Sequence, residues 1–88
     1  MTKIHDFAGL RVDAEIKTNI EEMAKVVFVR ITSPKHNERM QLSFRVRDLA
    51  AVDLEEGIHQ LFAPVEATYD TSIAKGRVLQ FLSGLAPR

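Results

Sequence analysis

Residues 26 to 32 (Val-Val-Phe-Val-Arg-Ile-Thr) and residues 40 to 47 (Met-Gln-Leu-Ser-Phe-Arg-Val-Arg) restrict this chain more than any other stretch. The first is β-branched and aromatic. The second alternates strictly, with Met40, Leu42, Phe44 and Val46 apolar and Gln41, Ser43, Arg45 and Arg47 polar, which is the period of a strand with one buried face. Ser33-Pro34-Lys35-His36-Asn37-Glu38-Arg39 between them is turn chemistry, so the two segments read as a β-hairpin. A slip of one residue would move every apolar side chain of a strand to the other face. The register with Val27 opposite Phe44, Val29 opposite Leu42 and Ile31 opposite Met40 gives every apolar residue of the second strand an apolar neighbour. Placing Phe28 opposite Phe44 instead would set Arg30 beside Leu42. The first register is therefore expected, and it gathers Val26, Phe28, Arg30, Gln41, Ser43, Arg45 and Arg47 on the second face.

A helix follows. Asp53-Leu54-Glu55-Glu56 fits a capping box, Leu54, Ile58, Leu61 and Phe62 recur at helical spacing, and Pro64 ends the run. Gly57 inside it weakens a helix by roughly 1 kcal/mol relative to alanine and suggests a close approach to the sheet. A second helix is expected over residues 72–83, with Thr71 or Ser72 as N-cap, Ala74, Val78, Phe81 and Leu82 on one face, and Gly84 and Pro87 as stop signals. Ala74-Lys75-Gly76 could alternatively turn a hairpin into the segment 77–82. Val65, Ala67 and Tyr69 suggest a short strand between the two helices.

The N-terminal third supports two readings. Residues 10–17 alternate as a strand does, yet Asp13 followed by Ile16, Ile20, Met23 and Ala24 is also the grammar of an amphipathic helix over 13–24. A helix there gives the ferredoxin-like βαββαβ order with an added C-terminal helix, and a strand gives an antiparallel meander backed by helices. Both are α+β: one small domain over residues 1–88, with an antiparallel sheet of three or four strands and helices packed on one face. At 88 residues such a domain hides only about 60 to 65% of its unfolded surface, so each core residue counts and a partner could share the burden of stability.

The formal net charge of zero conceals two blocks. From Arg30 to Arg47 there are five basic residues and one acid; from Asp48 to Asp70 there are six acids and no lysine or arginine. Arg30, Arg45 and Arg47 share the second sheet face with Phe28, and Lys35, His36 and Arg39 stand at the hairpin tip, which makes these seven residues the candidate interaction surface. Glu55, Glu56 and Glu66 form an acidic counter-surface. Arginines with an aromatic on an open sheet can hold phosphates and stack a base. A sequence pI near 6.8 and the adjacent acids argue instead for charge pairing within the chain or across a subunit contact.

No catalytic, cofactor or metal motif emerges. Ser72-Ile73-Ala74-Lys75 spells S-x-x-K, but the S-D-N and K-T-G partners of that chemistry are missing. His5, His36 and His59 lie far apart, and none is three or four residues from another histidine, the spacing that puts two ligands on one helix face. Glu55 and Glu56 point different ways along their helix and make no acid/base pair. Gly76 is isolated, so neither phosphate loop nor dinucleotide fingerprint is present. Cysteine is absent, which removes thiolate chemistry and suits a reducing compartment. The first residues lack the apolar run of a signal peptide, no stretch approaches the roughly 20 apolar residues of a membrane span, and a cytoplasmic location is expected.

From Asn19-Ile20 through the hairpin, Arg47-Asp48-Leu49, the helix and Val65 to Tyr69, the chain resembles the latter half of an ACT-type regulatory domain. That resemblance implies a ferredoxin-like fold sensing an amino acid or similar small ligand at a dimer interface. It departs at Asp6-Phe7-Ala8-Gly9, where alanine replaces the proline of the family's Asp-x-Pro-Gly turn, and at the short stretch from Gly9 to Asn19.

The expectation is a small non-enzymatic domain without cofactor, working through protein contacts as an inhibitor or regulator of a larger assembly, of the kind phages and other mobile elements carry. A homodimer is expected, since opposite charge blocks on one chain suit a two-fold contact of basic hairpin with acidic helix. Nucleic-acid binding by the Arg-rich hairpin face and small-ligand sensing are the alternatives.

Overall fold

The computed structural model describes residues 1–34 and 36–87, and the side chains of these except for residues 36–39. Four strands come first: β1 (Thr2–Phe7), β2 (Leu10–Asn19), β3 (Ala24–Ser33) and β4 (His36–Arg45). They form an antiparallel meander in chain order. A 3₁₀ turn (Val46–Asp48) leads toward helix α1 (Leu54–Phe62), a second 3₁₀ turn (Ala63–Val65) follows, and helix α2 (Ser72–Leu85) closes the chain. The α+β class with helices on one face of an antiparallel sheet is as expected; the ferredoxin-like order is not found, because residues 13–24 complete β2 and open β3.

The β3–β4 register matches the one read from the apolar pattern, with Val27 opposite Phe44, Val29 opposite Leu42 and Ile31 opposite Met40. Together with Leu10, Val12 and Ala14 of β2 these residues make the inner face of the sheet. Ile58, Leu61 and Phe62 of α1, Val65, and Ala74, Val78 and Leu82 of α2 close over it, and Phe62, Val65, Val78 and Leu82 are wholly buried. α1 lies along β4, and α2 lies against α1 and β1. Gly57 permits the close approach that its presence suggested: a Cβ there would sit 3.3 Å from Phe44 Cζ.

The helix starts follow local chemistry. Asp53 Oδ1 accepts from the Glu56 N–H at 3.1 Å, the expected cap. The reciprocal half of the box is missing, because the Glu56 carboxylate accepts from Gln60 Nε2 instead. At α2 neither expected cap operates through its side chain. Asp70 Oδ1 accepts from the backbone N–H of Ser72 at 3.1 Å and from its hydroxyl at 2.5 Å. These two bonds, the hydroxyl's first, hold the Asp70 carboxyl below its ordinary value of 3.8. The helix runs through Gly84 and stops at Ala86, whose extended backbone (φ −60°, ψ 137°) is what a following proline imposes.

One other expectation fails. Residues 65–69 are not a strand: Thr68 and Tyr69 donate to the Val65 carbonyl in a continued turn, with Val65 plugged into the core and the Tyr69 hydroxyl 2.7 Å from Ser33 Oγ. Of the two readings of residues 74–82, the expected helix is the one found. β1, which the sequence pattern did not single out, joins β2 through the two-residue turn Ala8-Gly9, both residues having positive φ (54° and 88°).

Candidate interaction surface

Directly opposed residues of an antiparallel sheet share a face, so the register defines the surface the helices leave uncovered. Four rows cross it. Asp6, Arg11 and Thr32 form one; Lys3, Asp13, Arg30 and Gln41 the next; Glu15, Phe28 and Ser43 the third; Lys17, Val26 and Arg45 the last. Phe28 lies within it and Val26 in its last row, both half-buried among long polar side chains. Lys17 Nζ stands 5.8 Å from the centroid of the Phe28 ring, within cation–π range.

The charges on this face are mostly matched. Lys3 pairs with Asp6 (3.5 Å), Arg11 with Asp13 (3.2 Å), Lys17 with Glu15 (3.9 Å) and Arg45 with Asp48 at the strand's exit (2.8 Å). Exposed pairs of this kind contribute about 0 to 1 kcal/mol each. Arg30 is the exception. Asp13, its cross-strand neighbour, is engaged by Arg11, and among the described residues the Arg30 side chain has one long bond, 3.4 Å to Gln41 Oε1. Its Nε is out of contact with solvent and has no acceptor among the described residues.

The expected surface is thus partly assembled. Phe28, Arg30 and Arg45 lie on the open face. Arg47 does not: β4 ends at Arg45, and Arg47 falls in the 3₁₀ turn, where the alternation that placed it with Arg45 has ceased. Lys35 lies outside the described residues, as do the side chains of His36 and Arg39. Pattern reading missed what β2 adds, namely Asp13, Glu15 and Lys17, because residues 13–17 fitted helix and strand alike.

Glu55, Glu56 and Glu66 stand on the helical layer, across the sheet from Phe28. Glu66 is held by Lys75, with His59 Nδ1 at 4.0 Å. The basic sheet face and the acidic helix therefore look in opposite directions. A contact between them would run head to tail through successive copies and could not close around one two-fold axis.

A second surface lies at the end of the β2–β3 hairpin. Asn19 Oδ1 accepts from the N–H groups of Glu21 (3.0 Å) and Glu22 (3.3 Å), which fixes the four-residue turn 20–23. Ile20 and Met23 are 81% and 84% exposed there. Met23 has φ 52°, a left-handed conformation unusual for a side chain of its size. Beside it, Met23, Ala24, Lys25, Val46, Arg47 and Pro87 line a groove of about 260 Å³.

Among the described residues no helix is long and apolar enough to cross a membrane, and no cluster of three His, Asp or Glu residues could hold a metal ion. No protein-family model, curated protein or solved structure matches the chain.

Proposed function

We propose that this protein is a small non-enzymatic interaction module whose open sheet face docks a protein partner, as a regulator or inhibitor of a larger assembly. The observation that carries this reading is half-buried Phe28 on the same face as Arg30, the one cation of that face without a carboxylate within 4 Å among the described residues. Aromatic and arginine side chains dominate protein hot spots, and an arginine not already paired within its own chain is the one best placed to meet a partner's carboxylate. The ion pairs around them form the polar rim such contacts have.

Nucleic-acid binding is less well supported by the same face. Four of its five cations already have a carboxylate within 4 Å, so phosphates would have to displace acids held on the protein. Small-ligand sensing rested on the likeness to a ferredoxin-like domain, whose strand and helix order this chain does not have.

A photo-crosslinking side chain placed at Phe28 or Ser43, in the source cell, should give protein adducts, while the same group at Ile73 or Gln80 on the helical layer should not. Once the partner is purified, Phe28→Ala should weaken binding by about 2 kcal/mol, roughly 30-fold in Kd. Adducts confined to the helical layer, or none, would sink the reading. Binding to mixed DNA and RNA that falls steeply with salt and is lost on Arg30→Ala plus Arg45→Ala would replace it with the nucleic-acid one.

A further inference from the structure

We propose that the tip of the β2–β3 hairpin and the groove beside it form a two-fold contact between two copies of this chain. The tip carries two exposed aliphatic side chains, Ile20 and Met23, around two carboxylates, Glu21 and Glu22. The groove offers the complement: Val46 and Pro87 as apolar walls, with Lys25 and Arg47 as cations. None of these four charged residues makes an ion pair among the described residues, whereas the cations of the open sheet face, Arg30 apart, all do. At about 260 Å³ the groove falls below the roughly 300 to 1,000 Å³ of small-molecule sites and suits a protruding side chain.

Position makes the contact self-limiting. Met23 belongs to the tip and lines the groove, so the two halves are adjacent at one end of the molecule. A single two-fold axis beside Met23 brings each tip to the other copy's groove, and the assembly closes at two. Two carboxylates then face two cations twice over, and the aliphatic side chains leave water. Phe28 and Arg30 take no part, so this contact stands or falls separately from the partner-docking face.

Charge exchange tests it. Multi-angle light scattering of the wild-type chain at high micromolar concentration should give about twice 9.9 kDa, with dissociation promoted by salt. Glu21→Lys with Glu22→Lys should give monomers, as should Lys25→Glu with Arg47→Glu, each at least ten-fold weaker in self-association. Mixing the two variants should restore a dimer, because each tip then meets a groove of opposite charge. All four positions are exposed, so circular dichroism should show both variants folded. A wild-type mass near 9.9 kDa, variants that remain dimeric, or a mixture that fails to associate would overturn the proposal.

Discussion

Single residues carry the clearest signs of conflict between sequence and local geometry. Ala8 and Gly9 form a two-residue hairpin turn in which both φ angles are positive, the type I′ arrangement that favours Asn-Gly. Gly9 meets that requirement, with Tyr69 packed 3.6 Å from where its Cβ would be; Ala8 does not. An alanine Cβ in the left-handed region costs about 1 kcal/mol, part of which asparagine avoids through local hydrogen bonding. Ala8→Asn should therefore raise the free energy of unfolding by about 0.5 to 1 kcal/mol in urea titration, with an unchanged m-value; a loss of stability would show that the turn is not held as described. Met23 presents the same conflict without the same remedy, since a smaller residue there would also remove an exposed apolar side chain. His5 presents a different one: it is buried on the inner face of β1, and its Nδ1 has no hydrogen-bond partner among the described residues.

At the scale of elements, the start of α2 answers to acid. The Asp70 carboxylate is stabilised in the folded chain by the Ser72 hydroxyl and N–H, so its folded value lies below the unfolded 3.8. A depressed carboxyl contributes stability that is complete above its unfolded value and is lost as pH falls through its folded one. The substitution Asp70→Asn would keep an acceptor but remove the charge. The melting-temperature advantage of the wild type over Asp70→Asn should therefore be level above about pH 5 and shrink below 3.8; a pH-independent difference would contradict this. Of the elements themselves, β3, β4 and α1 were legible because one physical signal dominated each: period-two burial in the strands, and a cap plus a helical stripe in α1. β1 was not, because the bulge between Lys3 and His5 breaks its alternation and its turn lacks the Asn-Gly signal. β2 was ambiguous for a more telling reason. Ile16, Ile20 and Met23 look like a helix stripe only if their purpose is burial in this chain's core, and they are 45%, 81% and 84% exposed.

The molecule as a whole is elongated, 38 × 22 × 18 Å, and its shape explains why charge counting along the chain was an incomplete guide to its surfaces. The sheet separates the basic hairpin face from the acidic helix, a fact of topology that composition does not carry, and β2 brings its own acids to the basic side. The helices cover the sheet unevenly. Val27 and Val29 are fully enclosed, whereas Ile16, opposite Val27 and on the same face, is already half exposed, so cover fails within a few residues of the tip. Local opening free energies track buried apolar contact, running from near zero where a ribbon frays to the global value in the core. At low micromolar concentration, amides of Thr18, Asn19 and Lys25 should therefore exchange by local fraying, while those of Val29, Arg30 and Ile31 exchange only when the whole domain opens, with protection factors higher by roughly a hundred-fold or more. Uniform protection along β3 would mean that the hairpin end is held by contacts the fold does not display. Since the two-fold contact would bury that same end and needs a folded chain, raising the concentration should increase protection at residues 18–25 by suppressing fraying and at 29–31 by raising the free energy of global opening; protection at 18–25 that stays constant while 29–31 gain would place the association away from the tip.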